Sequence, residues 1–362
     1  MSGWSQRLAA LARAEWQHLI QIQRSDRIWQ MPVAAALATG LPLLVGAWFG
    51  HIEYGLVSSL GGLVFVHMPA TAMQHRMVTL MACAFAMTAC YATGVLCHFA
   101  PGWAIPALAF LAAVVTMLVR LYAMGPPGSL FFVMAAAIGA YSPVEVLQLP
   151  HAVGLLFLGA FLAVLIGFAY SLYALRLQAP QPVAELPPPS FDFVIFDSVV
   201  IGAFVGLSLA LAQVLGLSRP YWVPVTCLAV IQGVSLRAVW VRQLHRVLGT
   251  AAGLLLSWAV LSMPLGPWSV ALVLMLLSFV VEISVVRHYG FAVMFITPMT
   301  ILLADAAHLG EIAPGPLVQA RFADTALGCG VALLGAICLH NRRFRAVVGR
   351  PMRRLIPPRL LR

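Results

Sequence analysis

The sequence predicts an all-α polytopic membrane protein, with about twelve transmembrane helices arranged as two parallel six-helix repeats. Three observations point there. The chain is 62% hydrophobic and 9% charged, where an ordinary soluble domain carries about 25% charge. Its apolar residues come in runs of about 20, the length that crosses a hydrocarbon core. And polar landmarks return in order: Asp26, His75-Arg76 and Arg120-Leu121-Tyr122 recur as Asp197, His245-Arg246 and Arg287-His288-Tyr289. The spacing nearly matches, 50 and 49 positions from Asp to Arg, then 44 and 41 from Arg to Arg. A duplicated membrane bundle encloses something between its halves, which directs attention to transport.

Residues 1–27 carry Arg7, Arg13, Glu15, Arg24, Asp26 and Arg27. No clean apolar core follows a basic start, so a cleavable signal sequence is not expected. Trp4, Leu8, Leu11 and Ile22 fall near one helical face, which reads as a cytoplasmic amphipathic segment. The first repeat, 28–177, offers apolar runs near 32–50, 54–73, 77–99, 103–121, 128–146 and 151–175. Residues 178–192 hold Pro180, Pro182, Pro187, Pro188 and Pro189 and form a stiff cytoplasmic strap. The second repeat, 193–341, offers runs near 194–216, 220–236, 246–264, 267–286, 289–306 and 320–340. The second run of each repeat is interrupted, by Gly61, Gly62 and Pro69 in one and by Pro220, Pro224 and Gly233 in the other. Broken helices in corresponding places point to a site beside them.

Residues 342–362 form an Arg-rich tail with eight arginines. Beside a hydrophobic helix it reads as a cytoplasmic anchor on anionic lipid, not as a nucleic-acid surface. With the N-terminus in the cytoplasm and twelve crossings, 19 of the 21 arginines lie inside. Only Arg219 and Arg321 then lie outside, with Glu53, Glu145 and Glu311. This bias supports a multi-pass protein of the bacterial inner membrane with both termini cytoplasmic.

All basic residues are arginine, with no lysine. That excludes Schiff-base chemistry and a phosphate-binding loop that needs lysine. No HExxH, GxSxG or GxxxxGK[ST] run occurs, so the chain is not expected to be an enzyme or to hydrolyse ATP, and no cofactor or metal is expected. Cys83, Cys90 and Cys97 share one helix face. A soft-metal stripe is one reading, and polarizable packing is the favoured one.

Arg120 and Arg287 each end an apolar run and precede Tyr122 and Tyr289 by two residues. A guanidinium fork matches a carboxylate, and a neighbouring ring can stack on an aromatic substrate or on the arginine. The competing reading is a pair of boundary anchors that snorkel to headgroups. Glu282 lies inside an apolar run, where a carboxylate is costly. Its counterpart in the first repeat is Val115, so the duplication breaks at an ionisable residue. A proton site or an arginine partner is one reading, and a wet interfacial glutamate is the other. Asp197 reads as a helix cap, as does Asp26. Asp305 and Asp324 lie toward the outer face, and Asp324 precedes a continuous apolar run and joins Glu282 as a candidate for proton coupling. Gly249-x-x-x-Gly253, Gly202-x-x-x-Gly206 and Gly46-x-x-x-Gly50 read as close-packing devices. Gly125-Pro126-Pro127-Gly128 must interrupt helix.

Arg219-Pro220-Tyr221-Trp222-Val223-Pro224-Val225-Thr226, Arg246 through Gly253 and Arg287-His288-Tyr289 resemble the signature run of the fusaric-acid-resistance-like (FUSC) membrane family. The resemblance is good across 193–341 and weaker across 27–175, where Tyr54 and Gly55 through Ser59 stand for the first block. It implies an inner-membrane exporter of organic anions, of the aromatic carboxylic acid type. Arg120 and Arg287 would then capture the carboxylate, and Tyr122, Tyr221, Trp222 and Tyr289 would supply aromatic surface. The chain departs from long family members in having only the proline strap and basic tail outside the bundles. The expected partners are a small organic anion, anionic lipid at the tail, a periplasmic adaptor protein as in related systems, and a second copy of the chain in a homo-oligomer. A passive anion channel and a non-transporting membrane assembly protein are the alternatives.

Overall fold

A computed structural model describes residues 21–24, 27–183, 185–186, 190–233, 235–305 and 314–355. The expected amphipathic segment before residue 21, the Asp26 cap, Pro187 to Pro189, Glu311, the side chain of Asp305 and the tail beyond 355 lie outside these.

The first half holds α1 (Gln30–Trp48), α2 (Ile52–Gly62, prolonged by a 3-10 turn Leu63–His67), α3 (Met73–His98), α4 (Ala104–Leu121), α5 (Leu130–Ala140) and α6 (Leu149–Leu177). A π-helical turn, Phe191–Phe196, leads into α7 (Asp197–Val214). Then come α8 (Trp222–Ile231), α9 (Leu236–Leu261), α10 (Pro267–Val285), α11 (Tyr289–Asp305), α12 (Pro314–His340) and α13 (Arg342–Leu355). Eight of these are long and apolar enough to cross a membrane, whereas α2, α5, α8 and α11 are shorter. The expected short second helix is present in each half. The fifth is short as well, which hydropathy did not reveal: the run expected over 128–146 is helical only from Leu130 to Ala140.

Corresponding helices end alike. Gly50 follows α1 with φ +74° and Gly216 follows α7 with φ +64°. After α1, His51 N–H donates to Gly46 O at 2.8 Å. After α7, Leu217 N–H donates to Ala212 O at 3.1 Å. This is the left-handed glycine stop that satisfies the last carbonyls of a helix. Gly50 is therefore a helix stop and makes no helix-helix contact, whereas Gly46 of the same pair packs closely, since a Cβ there would lie 3.1 Å from Gly55 Cα on α2.

Close helix approaches recur too. A Cβ at Gly94 of α3 would run into the backbone of Ala136 on α5, and one at Gly253 of α9 would lie 2.6 Å from Met294 O on α11. A Cβ at Gly159 of α6 would run into Ser58 on α2, and one at Gly328 of α12 would lie 2.7 Å from Val223 O on α8. Gly202 and Gly206 of α7 face Ala109 on α4. Small residues let these backbones close up in lipid, where packing, not water exclusion, holds helices together.

Two contacts cross between the halves in reciprocal fashion: α1 packs on α10, and α7 packs on α4. Cys83, Cys90 and Cys97 are all buried in the core on α3. The proline strap is tied down where Gln181 N–H donates to Ala70 O at 2.9 Å. The tail forms α13, whose Phe344, Val348 and Met352 pack against the core.

Candidate anion-binding cavity

A cavity of about 1560 Å³ lies between the halves. It is larger than the roughly 300–1,000 Å³ typical of ligand pockets. All four short helices contribute to its wall, as do α1 and α10. Lining residues occur at both ends of α1, with Arg27 just before it and Glu53 and Tyr54 just after it. Seven arginines line it (Arg27, Arg219, Arg237, Arg242, Arg246, Arg287 and Arg321) against two carboxylates, Glu53 and Glu282. The excess of fixed positive charge inside apolar walls favours an anion.

The site residues expected from sequence divide into two groups. Tyr221, Trp222, Glu282, Arg287 and Tyr289 line the cavity. Arg120, Tyr122 and Asp324 are not on its wall. Arg120 Nη1 instead donates to Phe193 O at 2.6 Å and to Asp197 Oδ2 at 3.1 Å, with its guanidinium 4.4 Å from the centre of the Phe193 ring. Tyr122 is 61% exposed just past the end of α4. Asp197, read as a cap, makes no capping bond; it pairs with Arg120 and, at 2.8 Å, with Arg345 of α13. Its place in the first turn of α7 still sets its charge against the positive helix end.

At one end of the cavity, Arg287 is exposed and Tyr289 lies under Arg242, whose guanidinium is 5.3 Å from the ring centre. The ring-on-arginine stacking foreseen for Tyr289 thus involves a residue of α9, not Arg287. His245 packs between the rings of His288 and Tyr289, at 4.7 and 6.5 Å. Glu282 faces this end and pairs with Arg27, with Oε2 3.4 Å from Nη1. Tyr221 packs between Tyr141, at 5.7 Å, and Trp222, at 5.3 Å, with the rings tilted by 39° and 46°.

Two further residues, missed in the sequence, form the deep wall. Helix α9 begins at Leu236, ten residues before its expected start, so Arg237, Arg242 and Arg246 all lie on helix. Arg246 is 5% exposed, and its Nη2 donates to Thr226 Oγ1 at 3.4 Å. Arg76, the matching landmark in the sequence, is similarly buried but does not line the cavity; its Nε donates to Thr71 O at 2.6 Å. Helix α12 begins at Pro314, six residues before its expected start, so Arg321 lies two turns inside it and not at its edge. Arg321 is 4% exposed, and its Nη2 donates to Thr300 Oγ1 at 3.2 Å. Its guanidinium sits 4.1 Å from the centre of the Trp222 ring. The available signal was the triplet spacing of Arg321 and Asp324 directly before an apolar run, because an ionisable pair inside a span marks a functional position by default.

Residues 199–335, which contain six of the seven lining arginines, match the family model described as fusaric acid resistance protein-like. The chain is also similar to a curated relative from Bacillus subtilis (strain 168), described as the uncharacterized membrane protein YvaC, with 31% identity over 131 residues. That stretch is 36% of this chain and 21% of the relative, so the chain matches only about a fifth of the relative's length. No solved structure matches. The protein is a multi-pass membrane protein whose residues 199–335 are similar to the fusaric acid resistance protein-like family.

Proposed function

We propose that the chain exports organic anions, of the aromatic carboxylic acid type, across the bacterial inner membrane from the cytoplasm. The observation that carries this reading is the cavity wall, with its seven arginines, two carboxylates and clustered aromatic rings between two helical halves. In this reading α1 to α6 and α7 to α12 are two parallel six-helix repeats and contribute twelve spans. The reciprocal packing of α1 on α10 and α7 on α4 supports that, as do the matched glycine stops after α1 and α7 and the short second and fifth helices. Two parallel repeats rocking about a shared site is a known way to alternate access.

Arg287, at the cytoplasmic end, makes the first contact with the carboxylate, and Tyr289, Tyr221 and Trp222 provide the aromatic path. Glu282, paired with Arg27, is the site where proton movement couples to transport. Arg120 and Tyr122 act at the interface between the halves. Anionic lipid meets α13, while a periplasmic adaptor and a second copy of the chain are the protein partners. A deletion strain grown against a panel of aromatic and aliphatic acids at two external pH values tests the reading. Selective sensitivity to aromatic acids, relieved by the plasmid-borne gene, supports export; equal growth on every acid contradicts it.

A second reading, a passive anion channel, is favoured by the presence of lining residues at both ends of α1. Steady anion current through the purified protein in a planar bilayer with equal pH on both sides would favour the channel over the coupled exporter.

A further inference from the structure

We propose that Arg321, seated on Trp222, is the deep station that holds the carboxylate head of the transported anion, and that Asp324 is the built-in counter-charge with which that carboxylate competes. The inference rests on the anion-transport reading above and assigns a site within it.

Arg321 is buried, yet two of its three guanidinium nitrogens, Nε and Nη1, have no hydrogen-bond partner. The third is spent on Thr300, and the face of the group is covered by Trp222. The guanidinium is thereby oriented before any ligand arrives; its two unspent donors lie buried just behind the cavity wall that Arg321 lines, so a carboxylate must enter that wall to reach them. Arg246 adds a second buried guanidinium to the same wall, and its Nε also lacks a partner. Two cations with unspent donors in an apolar surround are costly, and an oxyanion between them removes that cost.

Asp324 stands one helical turn from Arg321, a spacing at which side chains on a helix meet. It is 1% exposed, and neither of its oxygens has a hydrogen-bond partner. Among the described residues no ion pair joins it to Arg321. A pair built for structure would be closed. Here the contacts of the cation go to Thr300 and Trp222, while Asp324 attracts Arg321 and Arg219 through space without a hydrogen bond to either, so a carboxylate from the cavity can take the place that Asp324 leaves open. When the cavity empties, Asp324 balances the charge. Trp222 presents a flat π surface beside that head group, so a planar carboxylate fits better than a bulky one.

The test is equilibrium binding of radiolabelled benzoate and cyclohexanecarboxylate to the full chain in lipid nanodiscs, read without transport. The wild type is expected to bind one benzoate per chain. Arg321→Gln is expected to weaken binding about tenfold or more, as loss of a charge-assisted contact does. Asp324→Asn removes the competitor and is expected to tighten binding several-fold, and Trp222→Leu to weaken benzoate more than cyclohexanecarboxylate. If Arg321→Gln does not remain monodisperse, Thr300→Val, which only frees the guanidinium, is expected to weaken binding several-fold. Wild type that fails to bind either acid, benzoate affinity within twofold in Arg321→Gln or Thr300→Val, or weaker binding in Asp324→Asn each overturns the station. Failure of the transport reading looks different: binding lost in Arg321→Gln but no wild-type benzoate flux in proteoliposomes.

Discussion

Asp197 holds two arginines at once, Arg120 at 3.1 Å on one carboxylate oxygen and Arg345 at 2.8 Å on the other. Arg120 comes from α4 of the first half, Asp197 opens the second half, and Arg345 belongs to the tail helix. One carboxylate thus ties three parts of the chain together. The side chains of Arg120 and Asp197 are only 15% and 17% exposed, so little water competes for the pair. Asp197→Ala is expected to lower stability by about 1.5–3 kcal/mol, the range for hydrogen bonds to charged groups. Thermal unfolding in detergent measures it. Adding Arg120→Ala should cost less than its effect alone, because the two act as one unit; full additivity would show that the pair does not interact.

The backbone contacts of α6 and α2 predict a contrast between glycines. Gly159→Ala would drive a Cβ into Ser58, and Gly94→Ala would drive one into Ala136. Each is expected to destabilise by about 1–3 kcal/mol through overpacking. Gly154→Ala, on the same helix as Gly159 but with open space beside it, should be neutral or stabilise by up to about 1 kcal/mol through helix propensity. Equal melting shifts for Gly154→Ala and Gly159→Ala would remove the close-packing account.

Glu282 and Arg27 face each other across 3.4 Å at one end of the cavity. If this pair couples protons to substrate, Glu282→Gln should leave downhill benzoate exchange within about threefold of the wild type while abolishing accumulation driven by a pH gradient. Proteoliposomes loaded at two internal pH values separate these. Unchanged gradient-driven accumulation in the variant would take Glu282 out of the coupling.

Arg345 and Arg353 of α13 are held by Asp192 and Asp197, whereas Arg342, Arg343, Arg350 and Arg354 are exposed. These four should meet anionic headgroups, each worth about 1 kcal/mol near a charged surface. Phosphatidylglycerol should therefore raise the melting temperature of the wild type in nanodiscs more than that of a variant with all four changed to Gln. An identical lipid effect in both would show that the tail does not read the bilayer.

Much of the bundle was legible because hydrocarbon imposes a simple rule. Runs such as 103–121 and 267–286 match α4 and α10 closely, since about twenty apolar residues leave few other conformations. The short α2 and α8 were legible from Gly61, Gly62, Pro220 and Pro224. The short α5 was not, although Ser142, Pro143 and Glu145 follow it within the expected run, because averaged hydropathy does not report where a helix stops. The start of α9 was hidden for the opposite reason: Arg237, Arg242 and Arg246 lower the hydropathy of a stretch that is helical all the same. Arg321 was counted to the outer side at the edge of the run near 320–340, because arginine counting treats every charge as a boundary. Its burial against Trp222 depends on the crossing of α12 and α8, which are about a hundred residues apart in sequence, and no local pattern encodes that crossing. Arg287 and Tyr289 were legible as a motif, but their partners on α9 were not.

Arg287 is an exposed arginine at the expected cytoplasmic end of the cavity. Arg287→Ala should raise the half-saturating benzoate concentration for transport about tenfold, as loss of a charged capture contact does. Membrane levels of the protein, followed by immunoblot, should not change. Unaltered saturation at equal expression would remove Arg287 from the path.

The most direct measurement is benzoate flux in liposomes reconstituted with the purified full chain. A saturable flux is expected, above that of protein-free liposomes and inhibited by excess unlabelled benzoate. Flux no greater than in protein-free liposomes, with and without a pH gradient and with the protein correctly folded, would contradict an anion path between the two halves.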